Sequence, residues 1–195
     1  MPAPRSMKRS TRVLDQGKSD SAPTPESPVS VLKVFGLILV AVIVQTTIAP
    51  YLTVLGAKPD AALVVVVSLA LLRGPVWGAV TGFAMGLLID VALVQTMGIS
   101  SFLFTLAGYF SGRLSERVDP ASWLWPVIAV FAATMVVQTA NAVIMFLLGV
   151  EASAGFVVFR VVLPAALLNA LLASPVFAIC RWWLGIDQRQ NVFTV

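Results

Sequence analysis

Six polar residues interrupt a chain otherwise suited to hydrocarbon: Asp60, Asp90, Arg160 and Asn169, with the amides Gln138 and Asn141. Ionisable and amide groups at membrane depth pair with one another, with backbone or with a bound species, so their default chemistry is recognition. Catalysis fits poorly. The chain has no histidine, which removes the usual general base and the commonest metal ligand. Ser100, in Gly98-Ile99-Ser100, therefore has no imidazole to activate it as a nucleophile. The single cysteine, Cys180, cannot form an internal disulfide and reads as a small hydrophobe within an apolar run. No enzymatic activity, cofactor, metal or nucleic-acid partner is expected.

Each polar residue has a structural reading beside the functional one. Asp60 follows Pro59 at the start of an apolar run, where a carboxylate caps free amides at the positive end of a helix dipole. Gln138 and Asn141 share a helical face with Thr134, and such amides form interhelical hydrogen bonds worth about 1 kcal/mol each. Asn169 lies between Pro164 and Pro175, which are expected to kink their helix, and it can satisfy a neighbour near the bend. Asp90 ends its helix where the dipole disfavours a negative charge, so it needs a partner. Arg160, Lys58, the free amides opening the next helix and another protein all qualify, as does water at the interface. Asp60, Asp90, Arg160 and Asn169 are thus the candidate partner-binding residues.

The elements that must position these groups follow from composition. With 58% apolar and 11% charged residues in 195, the chain reads as an all-α polytopic membrane protein. Barrel strands would alternate apolar and polar residues, and these runs do not. Six spans are expected, at about 31–49, 60–72, 75–93, 99–114, 126–148 and 156–183. The second covers only about 20 Å at 1.5 Å per residue, so it is expected to begin deeper than the others. A transmembrane domain of 31–186 is then flanked by a disordered basic tail, 1–30, and a short C-terminal tail, 187–195. The first span reads as an uncleaved anchor. Lys33, Arg73, Arg113, Arg117, Arg181 and Arg189 fall on the side of that tail, against Lys58 and Arg160 on the other, which places both termini in the cytoplasm. Trp123, Trp125, Trp182 and Trp183 suit an interfacial belt on the same side.

The third span carries a ladder of Gly74, Gly78, Gly82 and Gly86, with Asp90 at the next step. Four residues advance a helix by about 400°, so the ladder winds some 160° while rising about 24 Å. Apolar side chains gain little by leaving lipid, and close backbone contact must hold helices together instead. Ser101, Thr105, Gly108 and Gly112 offer a matching face on the fourth span. The winding predicts two different neighbours for the lower and upper glycines, with the third span central. Arg73-Gly74-Pro75 reads as a tight helical hairpin, with Gly74 as a left-handed cap and Pro75 at the first position of the next helix.

Taken together, "KPDAALVVVVSLALLRGPVWGAVTGFAMGLLID", "MGISSFLFTLAGYFSGRL" and "LPAALLNALLASPVF" resemble the rod shape-determining MreD family over about 31–185. Pro59-Asp60, the Arg73-Gly74-Pro75 turn, the ladder with Asp90, Gly108-Tyr109 with Gly112, and Asn169 carry the likeness together. The resemblance implies a bacterial inner-membrane scaffold of lateral wall elongation and peptidoglycan synthesis. Its implied partners are MreC, MreB, and RodA with its transpeptidase. It also implies a compact bundle of six helices, similar to the S-components of energy-coupling-factor transporters. An alternative reading is a small-molecule-binding or transporter subunit of that kind, with Asp90, Gln138, Asn141, Asn169 and Arg160 converging on one pocket.

Overall fold

The computed structural model describes residues 28–47, 58–94, 97–117, 124–149 and 161–185. Arg160, both tails and the centres of the longer loops lie outside them. The described residues form six helices and no strand: α1 (Pro28–Thr47), α2 (Ala61–Arg73), α3 (Pro75–Ala92), α4 (Ile99–Ser115), α5 (Leu124–Leu147) and α6 (Leu163–Leu184). Three of them, α3, α5 and α6, are long and apolar enough to cross a membrane by length and composition. Stretches 31–47 and 61–73 form shorter apolar helices.

The short second helix, rather than the third, occupies the centre. It packs against each of the other five, and Ala62 to Ala70 form an unbroken run of nine buried residues. The physical reason is its composition: every position in that run is apolar or small, so every face can meet a neighbour, whereas α3 keeps Val80, Phe83 and Leu87 exposed. Ser68, the one polar residue in the run, donates to the Val64 carbonyl at 2.7 Å and leaves no orphan hydroxyl. On the flanking helices, Met85, Val130, Ala166 and Ala173 are buried as well.

Chain punctuation sets the element ends. Between α2 and α3, Gly74 has φ 88° and ψ −176°, a positive-φ extended backbone that glycine adopts readily, instead of the left-handed helical cap expected. Pro75 then opens α3 at a position where its missing N–H is no loss. The hairpin is further tied by Arg73, whose guanidinium lies 5.2 Å from the Trp77 ring. In α6 the first proline differs from expectation. Pro164 stands in the opening turn of the regular helix, where it is tolerated, so only Pro175 lies within it. At the opposite end of α6, the Trp183 indole donates to the Lys33 carbonyl at 3.2 Å and ties α6 to the start of α1.

Candidate functional site

The glycines of α3 are buried against backbone. A Cβ at Gly78 would collide with the Gly108 carbonyl and the Ala70 side chain, one at Gly82 with the Phe104 carbonyl, and one at Gly86 with the Ser101 backbone. From the other side, a Cβ at Gly108 would meet Gly78, and one at Gly112 the backbone of Gly74 and Pro75. All three upper rungs therefore meet α4, and Gly78 meets Ala70 of α2 as well. The division between two neighbours expected from the winding does not occur. Rows of residues four apart run at an inclination of about 26° to the helix axis, so a partner crossing obliquely follows a winding track that a parallel one would lose.

Asp90 lies at the end of this seam and is 1% exposed. One carboxylate oxygen, Oδ2, accepts from the Gly98 backbone N–H at 2.8 Å, with Ser101 N–H and Oγ at 3.5 and 3.4 Å. Of the partners open in the sequence, the amides beginning α4 are those it meets. The charge thus sits at the positive end of the neighbouring dipole, which offsets its placement at the negative end of its own. Gly98, at φ 98°, supplies the left-handed backbone that turns its N–H toward the carboxylate. The other oxygen, Oδ1, is buried without a hydrogen-bond partner among the described residues.

A second polar centre joins α2, α5 and α6. Asp60 caps α2 through Leu63 N–H, at 3.1 Å to Oδ1. Its own backbone N–H donates to Asn169 Oδ1 at 2.8 Å, and Asn169 Nδ2 donates to Thr134 Oγ1 at 3.2 Å. The Thr134 hydroxyl donates in turn to the Val130 carbonyl at 2.8 Å. Asn169 and Thr134 are fully buried. Asn169 is six residues into α6, about 9 Å along it, and the start of α2 meets that helix there. A helix start enclosed by its neighbours needs protein groups for its first amides. Asp60, Asn169 and Gln45, whose side-chain Oε1 accepts from Ala62 N–H at 3.4 Å, supply them.

Gln138 and Asn141 take no part in that network. They line a cavity of about 170 Å³ with Gln45, Asp60 and Ser100, closed on its apolar side by Ile89, Leu103 and Phe104. The five groups of the pocket reading are therefore not gathered. Asn169 is spent on Asp60 and Thr134, Asp90 lies at the α3–α4 seam, Arg160 falls outside the described residues, and only the two amides face a common void. Gln45 is not among the residues that the sequence singles out, and Ser100 enters there only as a nucleophile without a base. The signal for Gln45 was present, as an amide within the otherwise apolar "LVAVIVQ". No group of three or more Asp, Glu, His or Cys able to hold a metal occurs among the described residues.

A second, apolar recess of about 320 Å³ separates α4 from α5, between Leu103, Ala107 and Phe110 on one side and Ala129, Ala133 and Val136 on the other. It contrasts with the closed seam on the opposite face of α4.

Comparison with known proteins bears on this arrangement through one finding. The family model described as rod shape-determining protein MreD matches residues 29–184, which takes in all the described helices but the first residue of α1. Neither the curated proteins nor the solved structures give a match. The matched segment is well over half of the 195 residues, and it contains the glycine seam, Asp90 and the Asp60–Asn169–Thr134 chain. This chain belongs to the MreD family, and so to the membrane proteins that determine rod cell shape.

Proposed function

We propose that the chain is a non-enzymatic scaffold of the cell-elongation machinery, a compact six-span bundle similar in plan to transporter S-components. It receives MreC at its surface, supports lateral peptidoglycan synthesis, and acts in a complex with MreB and with RodA and its transpeptidase. It resides in the bacterial inner membrane with both termini in the cytoplasm. The observation that carries this reading is the family match, over a structure whose buried polar groups are largely spent on holding helices together. A protein of this kind offers a fixed surface. The transporter-subunit alternative gains no support from the family match.

The basic residues of 1–30, among them Arg5, Lys8, Arg9, Arg12 and Lys18, lie against anionic lipid in this reading. Each contributes about 1 kcal/mol when near the surface. Two measurements test the proposal together. Depletion of the chain is expected to widen cells and stop sidewall growth, and affinity-tagged chain in mild detergent is expected to bring MreC with it. Normal width after depletion would remove the shape role, whereas a widened cell with no MreC recovered would leave that role and remove the partner.

A further inference from the structure

The cavity beside Asp60 has no occupant in the scaffold reading, and its wall is polar within helices that are otherwise apolar. Asn141 and Gln138 lie six and nine residues before the end of α5, about 9 and 14 Å along it. Away from water an unpaired amide costs several kcal/mol. Neither side chain has a hydrogen-bond partner among the described residues, and both line the same void. Asp60 faces it too. Its Oδ1 is used by Leu63, while among the described residues Oδ2 accepts no hydrogen bond and no salt bridge joins it to a cation. Lys58, two residues upstream, is exposed, and Arg73 stands at the far end of α2.

We infer that this cavity binds a primary ammonium group on a short aliphatic stem. An ammonium carries three donors and no acceptor. The free Asp60 oxygen and the Gln138 and Asn141 carbonyls provide three acceptors, one of them charged, and charge-assisted bonds of this type are the stronger ones. A bare metal ion is a poorer match, because about 170 Å³ is room for several waters and the donor set holds a single carboxylate. The apolar wall of Ile89, Leu103 and Phe104 suits the methylenes next to the nitrogen. This chemistry is shared by the ethanolamine headgroup of a phospholipid and by a free alkylamine. It requires neither MreC nor any role in wall synthesis, so it stands or falls apart from the scaffold reading.

The test uses the full chain, with unfolding followed by tryptophan fluorescence on heating. Two probes are compared with controls of equal charge: nanodiscs containing phosphatidylethanolamine against phosphatidylcholine, and detergent solutions with ethanolamine against choline. Choline keeps the positive charge but has no N–H to donate. The ethanolamine forms are expected to raise the unfolding temperature above the choline forms. Asp60→Asn removes the charge while preserving a good helix cap, and it is expected to weaken the ethanolamine response by about tenfold or more. Gln138→Leu serves as a second variant, with a smaller loss of the same kind. A response to the lipid alone assigns the site to the headgroup, and a response to both probes assigns it to the amine in general. Equal effects of ethanolamine and choline, or an undiminished response in a folded Asp60→Asn protein, would overturn the inference and leave a water-filled void.

Discussion

The two faces of α4 are built on opposite plans. Toward α3, glycines of α3 lie on the α4 backbone at Gly108, Phe104 and Ser101, and backbone meets backbone from Gly78–Gly108 to Gly86–Ser101. Toward α5, ordinary side chains from Leu103 to Leu114 face a row of alanines, and a recess of about 320 Å³ stays open between them. Both faces are apolar, so burial of apolar surface does not distinguish them. In lipid the gain comes from contact itself, and contact requires either missing side chains or interlocking ones. The α3–α4 seam has the first, and the α4–α5 face has neither.

The hardest way to break the contrast is to fill the seam. Gly82→Leu places a side chain where even a Cβ meets the Phe104 carbonyl, and no rotamer of leucine moves its Cβ. The helices must separate along their length. Overpacking in ordinary cores costs about 1–3 kcal/mol by shifting side chains, and here backbone must shift, so the loss is expected to exceed that range. Membrane levels of the protein should fall steeply, and any purified fraction should unfold at a much lower temperature. Wild-type levels and an unchanged midpoint would show that α3 and α4 are not tightly packed.

Next in size is the removal of polar cohesion at α2, which joins helices by hydrogen bonds where the seam joins them by proximity. Asn169→Leu leaves the Asp60 backbone N–H and the Thr134 hydroxyl without the amide between them. A buried donor stranded in this way costs about 1–3 kcal/mol. The expected result is a folded protein with a clearly lowered midpoint. Thr134→Val should cost less, at the lower end of that range, because it removes one interhelical bond instead of two and valine keeps the volume. If Thr134→Val proved as damaging as Asn169→Leu, the chain of bonds would act as a single unit instead of two separable ones.

How far these regions were legible in the sequence depends on the kind of contact. The seam was visible because glycine at a fixed four-residue spacing has few other uses in a membrane helix, and both of its faces, Gly78 to Gly86 and Ser101 to Gly112, could be named. What the spacing does not reveal is that one neighbour, crossing obliquely, can follow the whole winding track, so the expected division between two helices fails. The centrality of α2 was hidden, since "AALVVVVSLALL" reads equally well as a lipid-facing helix and as one surrounded by protein, and only packing tells them apart. The Asp60 cap is local and could be inferred from Pro59-Asp60 alone. Its second bond, to a residue 109 positions away, depends on how α2 docks against α6, which no local pattern encodes. Gln138, Asn141 and Asn169 were grouped because all three are amides, yet rotation about their helices separates them into cavity wall and bonded link.

The smallest effect is expected on the open face of α4, and it is the sharpest check on the contrast. Ala133→Leu adds three carbons at a half-buried position of α5 that borders the recess. The void is large enough to accept them, and the added atoms would touch side chains such as Ala107 and Phe110 in place of lipid. Since lipid is as apolar as leucine, the exchange yields only the difference in contact, and a change within about 0.5 kcal/mol is expected, as for substitutions outside a packed core. The measurement is the shift in thermal midpoint beside that of Gly82→Leu in the same detergent. A loss approaching that of Gly82→Leu would mean that α4 and α5 close as tightly as α3 and α4, and that both faces of α4 follow one packing rule.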